Sequence, residues 1–401
     1  MNNNQAQIQA VLSRGVAEVL PSREALSQLM TERQIRVYLG IDPTGALLTL
    51  GHSVVLRKLQ QFADLGHEVI LLIGNGTVRI GDPTGKDEAR PMLTDEEIRA
   101  NFQNWQEQAN KVLDFSKITI RYNGDWLDKL TYTDIVQLMA KTTVQQLMER
   151  DMFQERLKKA QPIHAHELIY PLLQGYDSVV MDVDLEIGGT DQTFNMMMGR
   201  HLQKAYNNKE KWVLATPLIN GADGRKMSKS LGNFIALTEE PNNMYGKLMS
   251  VADSEIITYF TVLTDVASEE IEAMANLMRE GHNPLEFKKQ LALNITTMYH
   301  SVEAAQAAQE HFERTVQGNE LPAELPVVTV GAGKMTVLEL LEKLMPEESK
   351  NNLRRLTEQG AVELLQQGKT SGSRPTDPFE EIEIQQFEVV RVGKRRYFQL
   401  A

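Results

Sequence analysis

No cysteine occurs anywhere in the chain, which excludes disulfides, thiolate metal sites and thiol nucleophiles. No run approaches the roughly 18 apolar residues that a membrane-spanning helix needs. The opening segment MNNNQAQIQ lacks the basic start and apolar run of a secretory signal, so the expectation is a cytoplasmic protein with no membrane partner. Positive charge is also scarce. The 42 Lys and Arg against 54 Asp and Glu give a net charge of −12, which argues against a protein that coats nucleic acid indiscriminately. The deficit is uneven, because Lys334 to Ala401 holds 11 basic and 11 acidic residues and is neutral. What remains is ordinary: 42% hydrophobic and 24% charged residues over 401 positions suit a globular protein of two or three domains.

The apolar runs RVYLGI (36–41) and EVILLIG (68–74) stop at or near glycine, as buried parallel strands do. Between them, apolar residues at 55, 56, 59, 62 and 63 mark one face of a helix, giving a strand–helix–strand unit of a doubly wound sheet. Thr94 to Glu97 forms a capping box that opens a helix through about Leu113. ITIRY (118–122) and WVLATPLI (212–219) predict further strands, and 133–149 and 195–206 predict helices. Residues 240–315 carry a helical pattern throughout. The segment 321–334, with its prolines and glycines, reads as a linker, and the closing FEVVRVGKRRYFQL reads as a hairpin.

Four segments could carry chemistry. In GIDPTGALLTLGH (40–52) a strand end meets a helix start, where free N–H groups and the helix dipole suit phosphate, and Thr44, Thr49 and His52 add donors. A strand–helix turn with incidental polar residues would look the same. In YPLLQGYDSVV (170–180), Tyr170, Gln174 and Asp177 stand four and three apart, on one helical face suited to a small polar ligand or to a half-exposed surface. EIGGTDQTFN (186–195) is a second strand end, whose Asp191 suits ribose hydroxyls or a helix cap. GRKMSKSLGNF (224–234) places Lys226 and Lys229 among serines and glycines, as either a solvated loop or a clamp on something highly negative.

Two apparent motifs fail. GDPTGK (81–86) has three residues where a P-loop needs four, and GAGKMT (331–336) has Val328 where that motif needs glycine. Asp82, Lys86 and Arg90 could still line a pocket, or a plain turn. His164 and His166 lack a third ligand at a clear spacing and read as a polar helix start, so no protein metal site is expected.

Taken together, GIDPT…LGH, GDPTGK, YPLLQGYD, GGTDQ and KMSKS, in this order, resemble the signature set of bacterial tyrosyl-tRNA synthetases, which are class I aminoacyl-tRNA synthetases. The resemblance covers nearly the whole chain. It implies an α/β fold with a Rossmann-like doubly wound catalytic domain over 1–235, a helical domain over 236–325, a linker over 326–334 and an S4-like RNA-binding domain over 335–401. By that resemblance Tyr38 and Asp177 hold the tyrosine phenol, Asp82, Tyr170 and Gln174 hold its amino group, and Gln192 lies beside it. Gly40, Asp42, Thr44, Gly51, His52, Gly189 and Asp191 match the ATP site, with Lys226, Met227, Ser228, Lys229 and Ser230 as its mobile loop. Lys86 and Arg90 match a second cationic loop over the pyrophosphate. One departure is plain: the motif's first histidine is replaced by Thr49, a shorter donor that cannot become charged, which puts its share of phosphate stabilisation in doubt.

The implied reaction is adenylyl transfer from ATP to tyrosine followed by transfer to tRNA(Tyr), with Mg²⁺ carried in on ATP. For tRNA, Lys350, Arg354 and Arg355 lie at helical spacings, and Lys394, Arg395 and Arg396 form a second cluster. A homodimer with tRNA spanning both subunits is implied as well. The rivals are a tryptophanyl-type synthetase and a non-catalytic RNA-binding protein on the same scaffold.

Overall fold

Six strands form the first sheet of the computed structural model: β1 (Glu18–Leu20), β2 (Arg36–Ile41), β3 (Glu68–Ile73), β4 (Ile118–Tyr122), β5 (Leu185–Gly189) and β6 (Trp212–Thr216). Residues 2–83, 94–228, 232–317, 325–331, 333–366, 372–393 and 396–401 are described. Lys86, Arg90, Lys229, Ser230, Lys394 and Arg395 lie outside them. The strand order is β1-β6-β5-β2-β3-β4, parallel throughout except for the antiparallel edge strand β1. From β2 the chain winds outward to β3 and β4, then returns to β5 and β6 on the other side. The winding therefore reverses between β2 and β5, and in such sheets ligands bind in the crevice beyond the carboxyl ends at that reversal. The near-continuous apolar runs of β2 and β3 are accounted for, since both strands are largely buried.

Helix Leu50–Asp64 follows β2 and packs its apolar face inward through Val54, Leu59 and Phe62. Thr94 caps helix Asp95–Ala109 with Glu97 in the expected box, though the helix stops four residues before the anticipated Leu113. The stretch expected as one helix over 133–149 is two, Tyr132–Met139 and Val144–Met148, because Thr143 starts the second with its own cap. Helices Tyr170–Met181 and Thr193–Asn207 cross closely at Gly175 and Gly199, where a Cβ on Gly175 would come within 3.1 Å of the Gly199 backbone nitrogen.

The chain divides into two compact units, Met1–Glu239 with Ser250–Leu291, and Glu240–Met249 with Ala292–Ala401. The helical stretch expected over 236–325 is shared between them. The second unit contains a four-stranded sheet, in the order β7 (Val327–Val328), β12 (Arg396–Leu400), β11 (Val389–Val392) and β9 (Val362–Leu365), and a two-stranded one formed by β8 (Lys334–Thr336) and β10 (Glu381–Glu383). β11 and β12 are the expected hairpin. The expected linker over 326–334 is a correction: Val327 and Val328 pair in parallel with Gln399 and Leu400, so this stretch supplies a sheet strand. Its prolines and glycines drew the linker reading, whereas the valine pair inside it carries the ladder. Helices Val337–Leu344 and Lys350–Glu358 close a core of Leu340, Leu341, Leu353, Val362 and Val390.

Gly199 tests the helix crossing. A Cβ there would meet the Lys211 ammonium and lie 2.7 Å from Ser178 Oγ, so Gly199→Val is expected to lower stability by about 1–3 kcal/mol through overpacking. Urea unfolding measures this; an unchanged midpoint would mean that the buried groups can move aside.

Candidate functional site

A cavity of about 300 Å³ opens at the carboxyl ends of β2 and β5, where the winding reverses. Its wall includes Tyr38, Asp82, Tyr170, Gln174, Asp177 and Gln192, the full set anticipated around tyrosine. It also includes Gly40, Asp42, Thr44, Thr49, Gly51, His52, Gly189, Asp191, Lys226 and Met227 from the anticipated nucleotide set. Ser228 is not in the wall; its N–H donates to Asn233 Oδ1 at 2.8 Å.

At the inner end, β2 and β5 run side by side with Tyr38 opposite Glu186. Tyr38 is fully buried, and its Oη lies 2.9 Å from Ser178 Oγ. Asp177 is 2% exposed and accepts from Trp126 Nε1 at 2.8 Å and Asn123 Nδ2 at 3.1 Å. Burial pushes the Asp177 carboxyl well above the usual carboxylate range, the Asn123 and Trp126 donors oppose this, and the nearby Glu186 and Asp42 charges add to it. Burial likewise pushes the Tyr38 and Tyr170 hydroxyls well above the phenol range, which leaves both as neutral donors. Beneath them Glu186 forms a fully enclosed ion pair with Lys211 and accepts from Gln174 Nε2 at 3.0 Å. Burial lowers the Lys211 pKa, against the pull of Glu186.

The middle of the cavity is acidic. Tyr170 donates to Asp42 Oδ2 at 2.8 Å, and Thr77 donates to Asp42 Oδ1 at 2.7 Å. Gln192 Nε2 donates to Asp82 Oδ2 at 2.7 Å, and Arg150 stands 3.8 Å from the other oxygen of Asp82. Toward the mouth, Thr49 caps helix Leu50–Asp64. Its N–H donates to His52 Nδ1 at 3.1 Å and its hydroxyl lies 2.8 Å from the same nitrogen. An N–H donor on Nδ1 places the ring proton on Nε2. Thr49 thus holds His52, whatever else it does. On the opposite lip Lys226 Nζ donates to Asp191 Oδ2 at 2.8 Å. Among the described residues no cluster of three or more His, Asp or Glu side chains suits a metal ion, and no helix is long and apolar enough to cross a membrane.

Glu186, Lys211, Asn123, Trp126 and Ser178 were not singled out by sequence reasoning. Ser178 and Glu186 lie within the segments 170–180 and 186–195 without having been given a role, and Asn123 follows the end of a predicted strand. Lys211 had no such signal, since NNKEKW reads as a solvated charge run.

A sheet of this order with a polar cavity at its reversal is a Rossmann-type nucleotide-binding domain. A sequence model described as tRNA synthetases class I (W and Y) matches residues 30–317. The chain is 44% identical to the tyrosine–tRNA ligase of Thermotoga maritima, over 98% of this chain and 96% of that one. It is 42% identical to the tyrosine–tRNA ligase of Aquifex aeolicus, over 97% of each. The solved tyrosyl-tRNA synthetase of Archaeoglobus fulgidus in complex with L-tyrosine has the same fold, with a TM-score of 0.62 at 21% identity over 76% of this chain and 99% of that one. The chain belongs to the class I tRNA synthetases of the W and Y family.

The Asp177 environment predicts a pH dependence. Because its folded-state pKa is raised, the folded chain binds more protons there than the unfolded chain; that contribution to stability is complete below about pH 4 and is lost as pH rises through the folded value. Asp177→Asn removes it. Urea unfolding at pH 4.5 and 7.5 is expected to show the wild-type chain losing stability relative to the variant as pH rises; a constant difference would mean that the two donors outweigh burial.

Proposed function

We propose that the chain is a tyrosine–tRNA ligase, which joins L-tyrosine to ATP as tyrosyl-adenylate with release of pyrophosphate and then transfers the tyrosyl group to tRNA(Tyr). The observation that carries this is the pairing, within one cavity, of a buried Tyr38–Asp177 end with an Asp191–Lys226 and His52 mouth. A phenol hydroxyl offered to that inner end can donate to Asp177 and accept from Tyr38. The amino group of the substrate meets Asp82, Tyr170 and Gln174, with Gln192 beside it. Asp191 takes the ribose hydroxyls, and Thr44, Thr49, His52 and Lys226 face the phosphates. Lys86, Arg90 and Lys229, which lie outside the described residues, belong to this cationic set by motif, and Ser230, also outside them, belongs by motif to the same ATP-binding loop as Lys229.

The reaction needs no protein nucleophile. The tyrosine carboxylate attacks the α-phosphorus of MgATP in line, pyrophosphate leaves, and the terminal ribose hydroxyl of tRNA then attacks the mixed anhydride. Mg²⁺ belongs to the substrate, on its phosphate oxygens. Catalysis rests on positioning and on stabilising charge that develops on the phosphates. Gly51 fits this reading: a Cβ there would meet nothing in the protein closer than 3.4 Å, so internal packing does not demand glycine, whereas a ligand lying against the helix start would.

Residues 335–401 are proposed as the S4-like tRNA-binding domain. Arg354 lies over the exposed Phe379 ring, whereas Lys350 pairs with Glu342, Arg355 bonds to Asn352 and Arg396 bonds to Glu348. These pairs are exposed enough for phosphate to replace them. With Lys394 and Arg395 these residues form the proposed footprint. Cytoplasmic location follows from the same role.

Tyrosine-dependent ATP–pyrophosphate exchange, run in parallel with phenylalanine and tryptophan, tests the substrate. Exchange is expected with tyrosine above the other two. In Asp177→Ala the loss of the phenol acceptor is expected to cost about 1–3 kcal/mol of tyrosine discrimination. Equal exchange with phenylalanine or tryptophan, or none with any of the three, would sink the assignment.

A homodimer is part of the proposal. Helix Tyr132–Met139 exposes Tyr132 (84%), Val136 (46%) and Met139 (46%) at spacings of four and three, and Val144 (62%) follows. Such an apolar stripe suits a self-complementary contact. Sedimentation equilibrium is expected to show a dimer for the wild-type chain and a shift toward monomer for Val136→Glu; a monomeric wild-type chain would remove this element.

A further inference from the structure

Glu186 forms part of the inner wall of the cavity with Lys211 behind it, their side chains are 2% and 0% exposed, and the proposed reaction gives neither a role. A buried ion pair contributes little net stability compared with well-packed apolar residues. Its position is more informative. The remaining Glu186 oxygen, Oε1, accepts from Gln174 Nε2 at 3.0 Å. Lys211 also donates to the Met196 carbonyl at 3.0 Å, and its ammonium lies 5.7 Å from the Tyr38 ring centre. Gly199 leaves the space for it, since a Cβ there would meet the ammonium.

The chemistry fixes an orientation. An ionised carboxylate only accepts, so Glu186 can be met only by the NH₂ end of the Gln174 amide. The carbonyl oxygen, Oε1, is then the end that Gln174 offers to the cavity. A neutral partner at position 186 would not impose this, because an amide there can donate as well as accept. The Lys211 ammonium supplies the counter-charge to Glu186 in this enclosed site.

We propose that Glu186, ion-paired with Lys211, is a positioning residue that turns the Gln174 carbonyl toward the cavity and so builds the site for the α-ammonium of the amino-acid substrate. This rests on the substrate reading above. It differs from it in assigning selectivity for the ammonium, not for the phenol, to a pair that acts through Gln174. In Glu186→Gln the Gln174 amide is free to turn over and present its own N–H groups to an incoming ammonium.

The test compares L-tyrosine with desaminotyrosine, which keeps the phenol and carboxylate and lacks only the amino group. Calorimetric binding to Glu186→Gln is expected to show tyrosine affinity reduced roughly tenfold or more, with desaminotyrosine changed less than about twofold. Pyrophosphate exchange in the same variant is expected to show a raised KM for tyrosine with the KM for ATP unchanged. Where Glu186→Gln leaves Lys211 too poorly accommodated to fold, Glu186→Gln/Lys211→Met removes both charges together and carries the same expectation. An unchanged tyrosine-to-desaminotyrosine ratio in a folded variant overturns the inference alone. A wild-type chain that binds no tyrosine overturns the substrate reading and this one with it.

Discussion

Two carboxylates, Asp177 and Glu186, are buried at one end of a cavity, and much of the surrounding structure compensates for them. An isolated carboxylate in such a place would take up a proton or destabilise the fold. Asp177 is supplied with donors from two residues just beyond β4, Asn123 and Trp126. Glu186 is supplied with Lys211 from the residue just before β6 and with Gln174 from the helix that carries Asp177. The two acids are thus met from opposite sides of the sheet's centre. The close crossing at Gly175 and Gly199 is part of the same arrangement, since the Lys211 ammonium occupies what would be side-chain space at Gly199.

The topology explains why these groups can meet. β2 and β5 are neighbours in space and far apart in sequence, and their outgoing connections leave in opposite directions. Tyr38 and Glu186 pair directly across them. Beyond the strand ends the chain parts, and the space is lined by the first turns of the helices that follow. The start of helix Leu50–Asp64, with His52 held by Thr49, borders one side, while Gly189, Asp191 and Gln192 border the other. Under the proposed function, a phosphate-binding element and a ribose-binding acid therefore come from the two halves of the sheet, with the amino-acid pocket between them.

What could be read in the sequence was local. Tyr170, Gln174 and Asp177 share a helical face by spacing alone, and all three line the cavity. The Thr94–Glu97 box is a four-residue signal and formed as such. β2 and β3 were visible because buried parallel strands carry unbroken apolar runs. The missed features depend on partners distant in the chain. Lys211 sits in a charge run that resembles any solvated loop, and only the fold reveals that Glu186, 25 residues earlier, receives it. β7 is two valines inside a proline- and glycine-rich stretch, and its identity as a strand comes from β12, some seventy residues later. The short edge strand β1 is likewise defined by β6. The Thr49 substitution was legible as a departure, while its bond to His52 required the helix to be seen.

Two lysine–carboxylate pairs of opposite character reach the cavity wall, one through Glu186 alone and one through both Asp191 and Lys226, and the contrast bears on how such a site can work. Glu186–Lys211 is enclosed, and removing either partner alone would strand a buried charge at a cost of about 3–5 kcal/mol. Lys226–Asp191 has side chains 51% and 26% exposed, and pairs of that kind are worth about 0–1 kcal/mol. A nucleotide that offers hydroxyls to Asp191 and phosphate oxygens to Lys226 replaces one weak pair with two charge-assisted contacts, so it can separate them at little cost. Separating Glu186 from Lys211 would cost far more, because both side chains are enclosed. Under the proposed function the amino-acid end is therefore fixed in advance and the nucleotide end is exchangeable, as suits a site that keeps the intermediate while pyrophosphate departs.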